Sequence, residues 1–143
     1  MSDMEHVASA DGTHIAYRTV GSATPVVLVG GALAPSDDAA QLAAAVGGAG
    51  MQAVTYDRRG RGESGDTAPY APGREAEDLR AVIDAAGGDA AVFGHSSGAV
   101  LALLAAGQGV PMRRLFLSGP PLRFGVDEPR RGERRGGNST LLA

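Results

Sequence analysis

Cysteine is absent from this 143-residue chain, which excludes disulfides and thiolate-ligated metals together. Histidine is scarce, with three residues scattered at His6, His14 and His95, a spacing that offers no zinc centre. Lysine is absent as well, so all 13 basic residues are arginine. A P-loop needs its lysine on the phosphates, and ATPases built on that loop are thereby excluded. No apolar run is long: Ala99 to Ala106 is the most extended, and it is too short to cross a bilayer. The first residues, Met1-Ser2-Asp3-Met4-Glu5, are acidic where a secretory leader would be basic. These absences lead to the expectation of a cytoplasmic protein with no metal, no cofactor and no membrane partner.

What is present fits one soluble globular domain. At this length a single core is the most that can form, and 43% of the residues are apolar, enough to fill it. Charge is uneven along the chain. Residues 1–122 hold 8 arginines against 13 acids, whereas residues 123–143 hold 5 against 3, so the second stretch is a basic object behind an acidic one. Within it, Asp127 to Asn138 (DEPRRGERRGGN) has neither periodicity nor an aliphatic residue. The division that follows is a folded unit over 1–122 and a disordered basic tail over 123–143.

The folded part reads as a regular alternation. Asp11-Gly12 joins Glu5–Ser9 to Thr13–Val20 as a hairpin turn, because both residues tolerate positive φ. Period-2 alternation places His14 with Ala16 and Arg18 on one face, which makes His14 a solvated strand residue rather than a catalytic one. Pro25–Val29 (PVVLV) is a continuous apolar run suited to a strand covered on both faces. It ends at Gly30-Gly31-Ala32, either an ordinary tight turn or a place where backbone N–H groups meet a developing negative charge. Ser36 or Asp37 then caps an alanine-rich helix through about Val46, stopped by Gly47-Gly48. No GxGxxG follows the strand, which argues against dinucleotide binding.

Met51–Tyr56 is the next strand. Its loop interleaves Arg58, Arg59 and Arg61 with Asp57, Glu63 and Asp66, which reads as a self-paired structural loop rather than an anion or nucleic-acid site. A helix from Arg74 turns Leu79, Val82, Ile83 and Ala86 toward the sheet and stops at Gly87-Gly88. After a further helix, Arg113–Leu117 forms a last strand. From Pro25 onward the order is βαβαβαβ, the pattern of an α/β domain with a mostly parallel sheet.

The chemistry sits between the last two strands, in Ala90 to Gly107 (AAVFGHSSGAVLALLAAG). A short β-type run meets Gly94-His95-Ser96-Ser97-Gly98 and passes at once into an apolar helical run, the context of a GxSxG nucleophile elbow. Ser96 is the candidate nucleophile. A strained turn there demands small neighbours, and Gly94 and Gly98 supply them. The helix that follows is apolar on every side, so burial all round is expected. The pentapeptide alone arises by chance at roughly 0.2 per chain of this glycine and serine content, which leaves its context to carry the weight.

Four motifs stand in order: Asp11 to Tyr17 (DGTHIAY), Leu28 to Gly31 (LVGG), Tyr56 to Ser64 (YDRRGRGES) and Gly94 to Gly98 (GHSSG). Through them the chain resembles the α/β-hydrolase family, specifically its small soluble serine hydrolases, over about Met4 to Leu122. The resemblance implies an α/β-hydrolase-like fold: an N-terminal β-hairpin, then a mostly parallel sheet flanked by helices. It implies Ser96 as nucleophile, an oxyanion hole from the backbone N–H groups of Ala32 and Ser97, and Gly30, Gly31, Gly94, His95 and Gly98 as supports of the turn and elbow. The partner it implies is a small-molecule acyl substrate, an ester, amide or similar, attacked to give an acyl-enzyme on Ser96; nucleic acid is not implied.

Members of that family continue past the last strand with a lid, two more strands, an acid and a late histidine, in the order Ser, Asp/Glu, His. Here the last histidine is His95, which diverges from Ser96 at a tight elbow, and Asp127 and Glu128 fall in the tail. The expectation is a fold truncated after about the sixth strand and an impaired enzyme. Arg113–Leu117 would then be an open edge through which the chain self-associates. Two other readings stand beside this one. One is a cofactor-free perhydrolase or haloperoxidase using the same elbow; the other is a non-catalytic α/β-hydrolase-like binding or interaction protein whose elbow is structural.

Overall fold

The computed structural model describes residues 4–30, 36–119 and 140–142. The strands are β1 Glu5–Ala8, β2 His14–Val20, β3 Pro25–Val29, β4 Gln52–Tyr56, β5 Ala91–His95, β6 Leu115–Ser118 and β7 Thr140–Leu142. The helices among the described residues are α1 Ser36–Gly48, α2 Pro72–Ala85 and α3 Ser97–Gly107. The strands form one sheet in the order β1-β2-β4-β3-β5-β6-β7. Its four middle strands are parallel, as strands joined through helices must be to reach neighbouring positions, and β1, β2 and β7 join antiparallel. The opening hairpin turns at Gly12, with φ 86, and the Thr13 N–H donates to Asp11 Oδ1 at 3.1 Å.

The unbroken apolar run of β3 has a direct physical reason. Successive side chains of a strand point to opposite faces, and both faces of this sheet are covered. Val27 and Val29 enter a core with Ile15, Val54, Leu79 and Ile83, whereas Val26 and Leu28 enter a second core with Ala43 and Ala53. The helices α2 and α3 close the first core, and α1 closes the second. No helix among the described residues is long and apolar enough to cross a membrane.

Three boundaries differ from expectation. Helix α1 runs through Gly47-Gly48 instead of stopping before them. A side chain at Gly47 would crowd Val20, so that glycine serves helix-to-strand packing, and Gly50, with φ 85, makes the left-handed reversal. Helix α2 begins at Pro72 rather than Arg74, since proline is tolerated in a first turn whose N–H groups have no helical partner. Helix α3 is not buried all round: Val100 and Leu103 are 37% and 41% exposed. Its buried side is the face of Gly98, Ala99, Leu101, Ala102 and Ala105, turned to the sheet and α2.

The arginine-rich loop after β4 is structural, but Arg58 and Arg59 pair outward rather than with the loop's own acids. Arg59 is 5% exposed and Asp78, on α2, is 1% exposed. The Arg59 Nε and Nη2 donate to the two Asp78 oxygens at 2.7 Å each. Its Nη1 also donates to Asp11 Oδ2 in the hairpin turn at 2.9 Å. Hydrogen bonds from Arg59 and Thr13 hold the Asp11 carboxyl well below the usual carboxylate range, and the bonds to Asp78 raise the Arg59 guanidinium above its ordinary value. Within the loop, Asp57 instead accepts the Glu63 N–H at 2.9 Å.

The edge beyond β6 is occupied over part of its length. β7 pairs with it through Phe116–Leu142, Leu117–Leu141 and Ser118–Thr140. At residues 140–142 a strand therefore replaces the expected disorder, and the open edge on which self-association rested is covered at 116–118. Asp127, Glu128 and the rest of 120–139 lie outside the described residues.

Buried and exposed ion pairs should respond differently to truncation. Asp78→Ala removes the buried partner of Arg59, leaving its guanidinium with Asp11 alone, and is expected to cost about 3 kcal/mol in urea unfolding. Asp89→Ala breaks the pair with Arg113, both of whose side chains are more than half exposed, and should cost under about 1 kcal/mol.

Candidate active site

At the carboxyl end of β5 the chain reverses within one residue. Ser96 lies between the last residue of β5 and the first of α3, with φ 56 and ψ −123. Its N–H donates to the Ser118 carbonyl at the end of β6, and its own carbonyl accepts from Ala99, each at 2.9 Å. A non-glycine residue at such angles costs of order 1–3 kcal/mol and persists only where its surroundings impose it. Those surroundings are visible. A Cβ at Gly94 would stand 2.7 Å from both the Ala99 Cα and the Gly98 carbonyl oxygen. A Cβ at Gly98 would overlap the carbonyl oxygens of Val29 and Gly30 at the end of β3. Glycine at both positions lets α3 start directly against the end of β3, and that close approach forces the bend onto Ser96.

The fold thus brings Gly30, Gly94, His95, Ser96, Ser97 and Gly98 to the carboxyl ends of the adjacent strands β3 and β5, where open α/β sheets place their ligands. Gly31 and Ala32 lie outside the described residues. The histidines are divided. His6 is on β1, and His14, exposed as expected, is on β2. Two strands separate β2 from β5, so three strand spacings, roughly 14 Å, lie between them. His95 ends β5 beside Ser96, is exposed, and stands in register with Ser118. Among the described residues no group of three or more His, Cys, Asp or Glu side chains could hold a metal ion. A groove of about 480 Å³ bordered by Val7, Ser9, Glu77, Arg80 and Asp84 lies between β1 and α2 and contains none of the elbow residues.

Arg58 joins this site from the Tyr56–Ser64 loop, outside the GHSSG motif. Its Nε and Nη2 donate to the two Glu75 oxygens at 2.7 and 2.9 Å. Its Nη1 donates to Ser97 Oγ at 3.2 Å and reaches the Gly30 carbonyl at 3.5 Å. The Tyr70 hydroxyl donates to Glu75 Oε2 at 2.6 Å. Burial pushes the Glu75 carboxyl up, but the bonds from Arg58 and Tyr70 outweigh it and leave the group below its ordinary value. The Glu75 bond in turn raises Arg58. A signal for this was present on α2: Glu75 and Asp78 share the stripe of Leu79 and Val82, and acids on a buried stripe require buried cations.

The sequence model of the alpha/beta hydrolase family matches residues 17–142. No curated protein matches the chain. Among solved structures, an alpha/beta hydrolase from Sphaerobacter thermophilus is 55% identical with a TM-score of 0.80, the match covering 87% of this chain and 47% of that one. The bottromycin epimerase in complex with bottromycin A2 is 32% identical with a TM-score of 0.71, covering 81% of this chain and 48% of that one. An esterase from Exiguobacterium antarcticum is 26% identical with a TM-score of 0.72, covering 80% and 44%. The chain spans about half the length of the structures it matches.

Two measurements test the strain and the charges of this site. Ser96→Gly relieves the positive φ while Ser96→Ala does not, so the glycine variant should be the more stable of the two by about 1–2 kcal/mol in urea unfolding. Glu75 and Asp11 have folded-state values below their unfolded ones. The stability they add is therefore fully present above about pH 5 and is lost as pH falls through the carboxylate range of about 4 and below. The urea midpoint should drop across that window, and Glu75→Gln should make the drop shallower.

Proposed function

The chain belongs to the alpha/beta hydrolase family, and on that premise we propose that Ser96 is the nucleophile of a serine hydrolase acting on small ester, amide or similar acyl substrates. The observation that carries this reading is the backbone of Ser96, at φ 56 and ψ −123, between two glycines whose close contacts admit no side chain. Such a bend lifts one hydroxyl clear of the strand and helix it joins, at the end of the sheet where substrate would lie.

In the proposed reaction Ser96 Oγ attacks the acyl carbon and its proton passes to a base. The carbonyl oxygen, now negative, is received by the N–H groups of Ser97 and Ala32, with the positive end of the α3 dipole behind the first. Collapse expels the alcohol or amine with a proton and leaves the acyl group on Ser96, and water then releases the acid. The base is the constraining element. His6 and His14 lie on the far strands, which leaves His95 as the histidine nearest in sequence, and the divergence of neighbours at a tight turn aims it elsewhere. That placement favours a second reading, a binding protein of the same fold whose elbow is structural. A cytoplasmic location, expected from the cysteine-free composition, belongs to the same proposal.

Labelling with a fluorophosphonate probe decides between the two readings: the wild-type chain should be labelled and Ser96→Ala should not. Equal labelling of both removes the nucleophile. On p-nitrophenyl acetate the chain should show only a weak Ser96-dependent rate. Loss of a positioned base costs on the order of 10⁶ in kcat, while oxyanion donors and binding alone retain roughly 10³ to 10⁴ over water. Turnover at the level of an ordinary esterase, abolished by His95→Ala, would make His95 the base.

A further inference from the structure

We propose that Arg58 is a positioning residue that fixes Gly30, the residue after β3, against the elbow after β5; for its catalytic consequence this rests on the reading of Ser96 as nucleophile. The loop carrying Arg58 leaves β4, and β4, β3 and β5 are consecutive in the sheet. From that loop the guanidinium reaches over the end of β3 to the first residue of α3. One nitrogen, Nη1, stands 3.2 Å from Ser97 Oγ and 3.5 Å from the Gly30 carbonyl, so a single group touches both the residue that follows β3 and the first residue of α3.

The fork is not free to choose another pose. Its other two nitrogens, Nε and Nη2, each donate to one oxygen of Glu75, and Glu75 is itself held by Tyr70. Arg58 and Glu75 side chains are 14% and 7% exposed, so little water competes for these bonds. A planar guanidinium with two nitrogens committed to a carboxylate presents the N–H groups of its third in fixed directions, which an ammonium cannot do. The spacing between Gly30 and Ser97 is thereby referred to helix α2, a rigid element of the core. Donors of an oxyanion hole act only when their spacing is set before the charge develops.

The test compares wild type, Arg58→Met, Arg58→Lys and the surface control Arg74→Ala by hydrogen exchange on the full chain and by the rate of fluorophosphonate labelling at Ser96. In Arg58→Met, peptides containing Gly30 and Ser97 should exchange about tenfold faster or more, with the Asp11 hairpin unchanged, and labelling should slow by about ten- to a hundredfold. Lysine should not restore either, and Arg74→Ala should alter neither. If Arg58→Met does not fold, Glu75→Gln, which keeps the volume and loosens the fork, should move the same two peptides. Unchanged exchange at both peptides, a parallel rise in the hairpin, or unaltered labelling in a chain whose wild type labels would each overturn the proposal. A wild type that labels no better than Ser96→Ala removes the nucleophile reading instead, and the exchange pattern still decides whether Arg58 holds the two segments together.

Discussion

Where α3 leaves the sheet its first turn lies so close to the end of β3 that one methyl group on Gly98 would overlap the carbonyl oxygens of Val29 and Gly30. Much of the structure follows from that contact. It brings the start of α3 over a neighbouring strand, and Gly94 allows the returning helix to pass above β5 in the same way. With both approaches closed to any side chain, the reversal falls on Ser96, whose left-handed backbone is held from below by its bond to the Ser118 carbonyl. Among the described residues, the serine is thus placed by contacts of the backbone.

A second constraint is electrostatic and acts through α2. Arg58 and Arg59 are neighbours on one loop, and each meets a buried acid of the same helix, Glu75 and Asp78. These acids are three residues apart and so lie on one helical face. The two arginines then diverge. Arg59 continues to Asp11 and ties the hairpin to the core, while Arg58 continues to Ser97 and Gly30. Buried pairs of this kind contribute little net stability compared with apolar side chains of the same volume, yet they are costly to break singly. Their effect is to specify one docking of the loop: α2 can slide or rotate only by stranding a charge.

A residue at a strained turn, as Ser96 is, is placed by local sterics, whereas a partner side chain for it must arrive from elsewhere in a fold at hydrogen-bond distance. The relatives illustrate how much freedom that leaves, since one scaffold carries proteins named as an esterase and as an epimerase. Function on such a fold belongs to the side chains gathered at the strand ends and not to the sheet beneath them.

What could be read from residues alone was what depends on near neighbours. The Asp11-Gly12 turn, the two-sided burial of PVVLV, the order of strands and helices from β1 to β6 and the strand-to-helix reversal at Ser96 all rest on periodicity or on glycines a few positions apart, and each stands where the pattern placed it. Local pattern could not say which side of α3 would meet the sheet, because an all-apolar helix presents the same chemistry in every direction; packing left Val100 and Leu103 outside. Nor could it pair the arginines. The bonds of Arg59 to Asp78 and Asp11 join residues 19 and 48 positions apart, and that of Arg58 to Ser97 spans 39. Interleaved acids within the loop offered nearer partners in sequence. Those partners were passed over because a charge taken out of water needs an equally buried counter-charge held in fixed geometry, and only the folded core, by burying Glu75 and Asp78 on α2, supplied one.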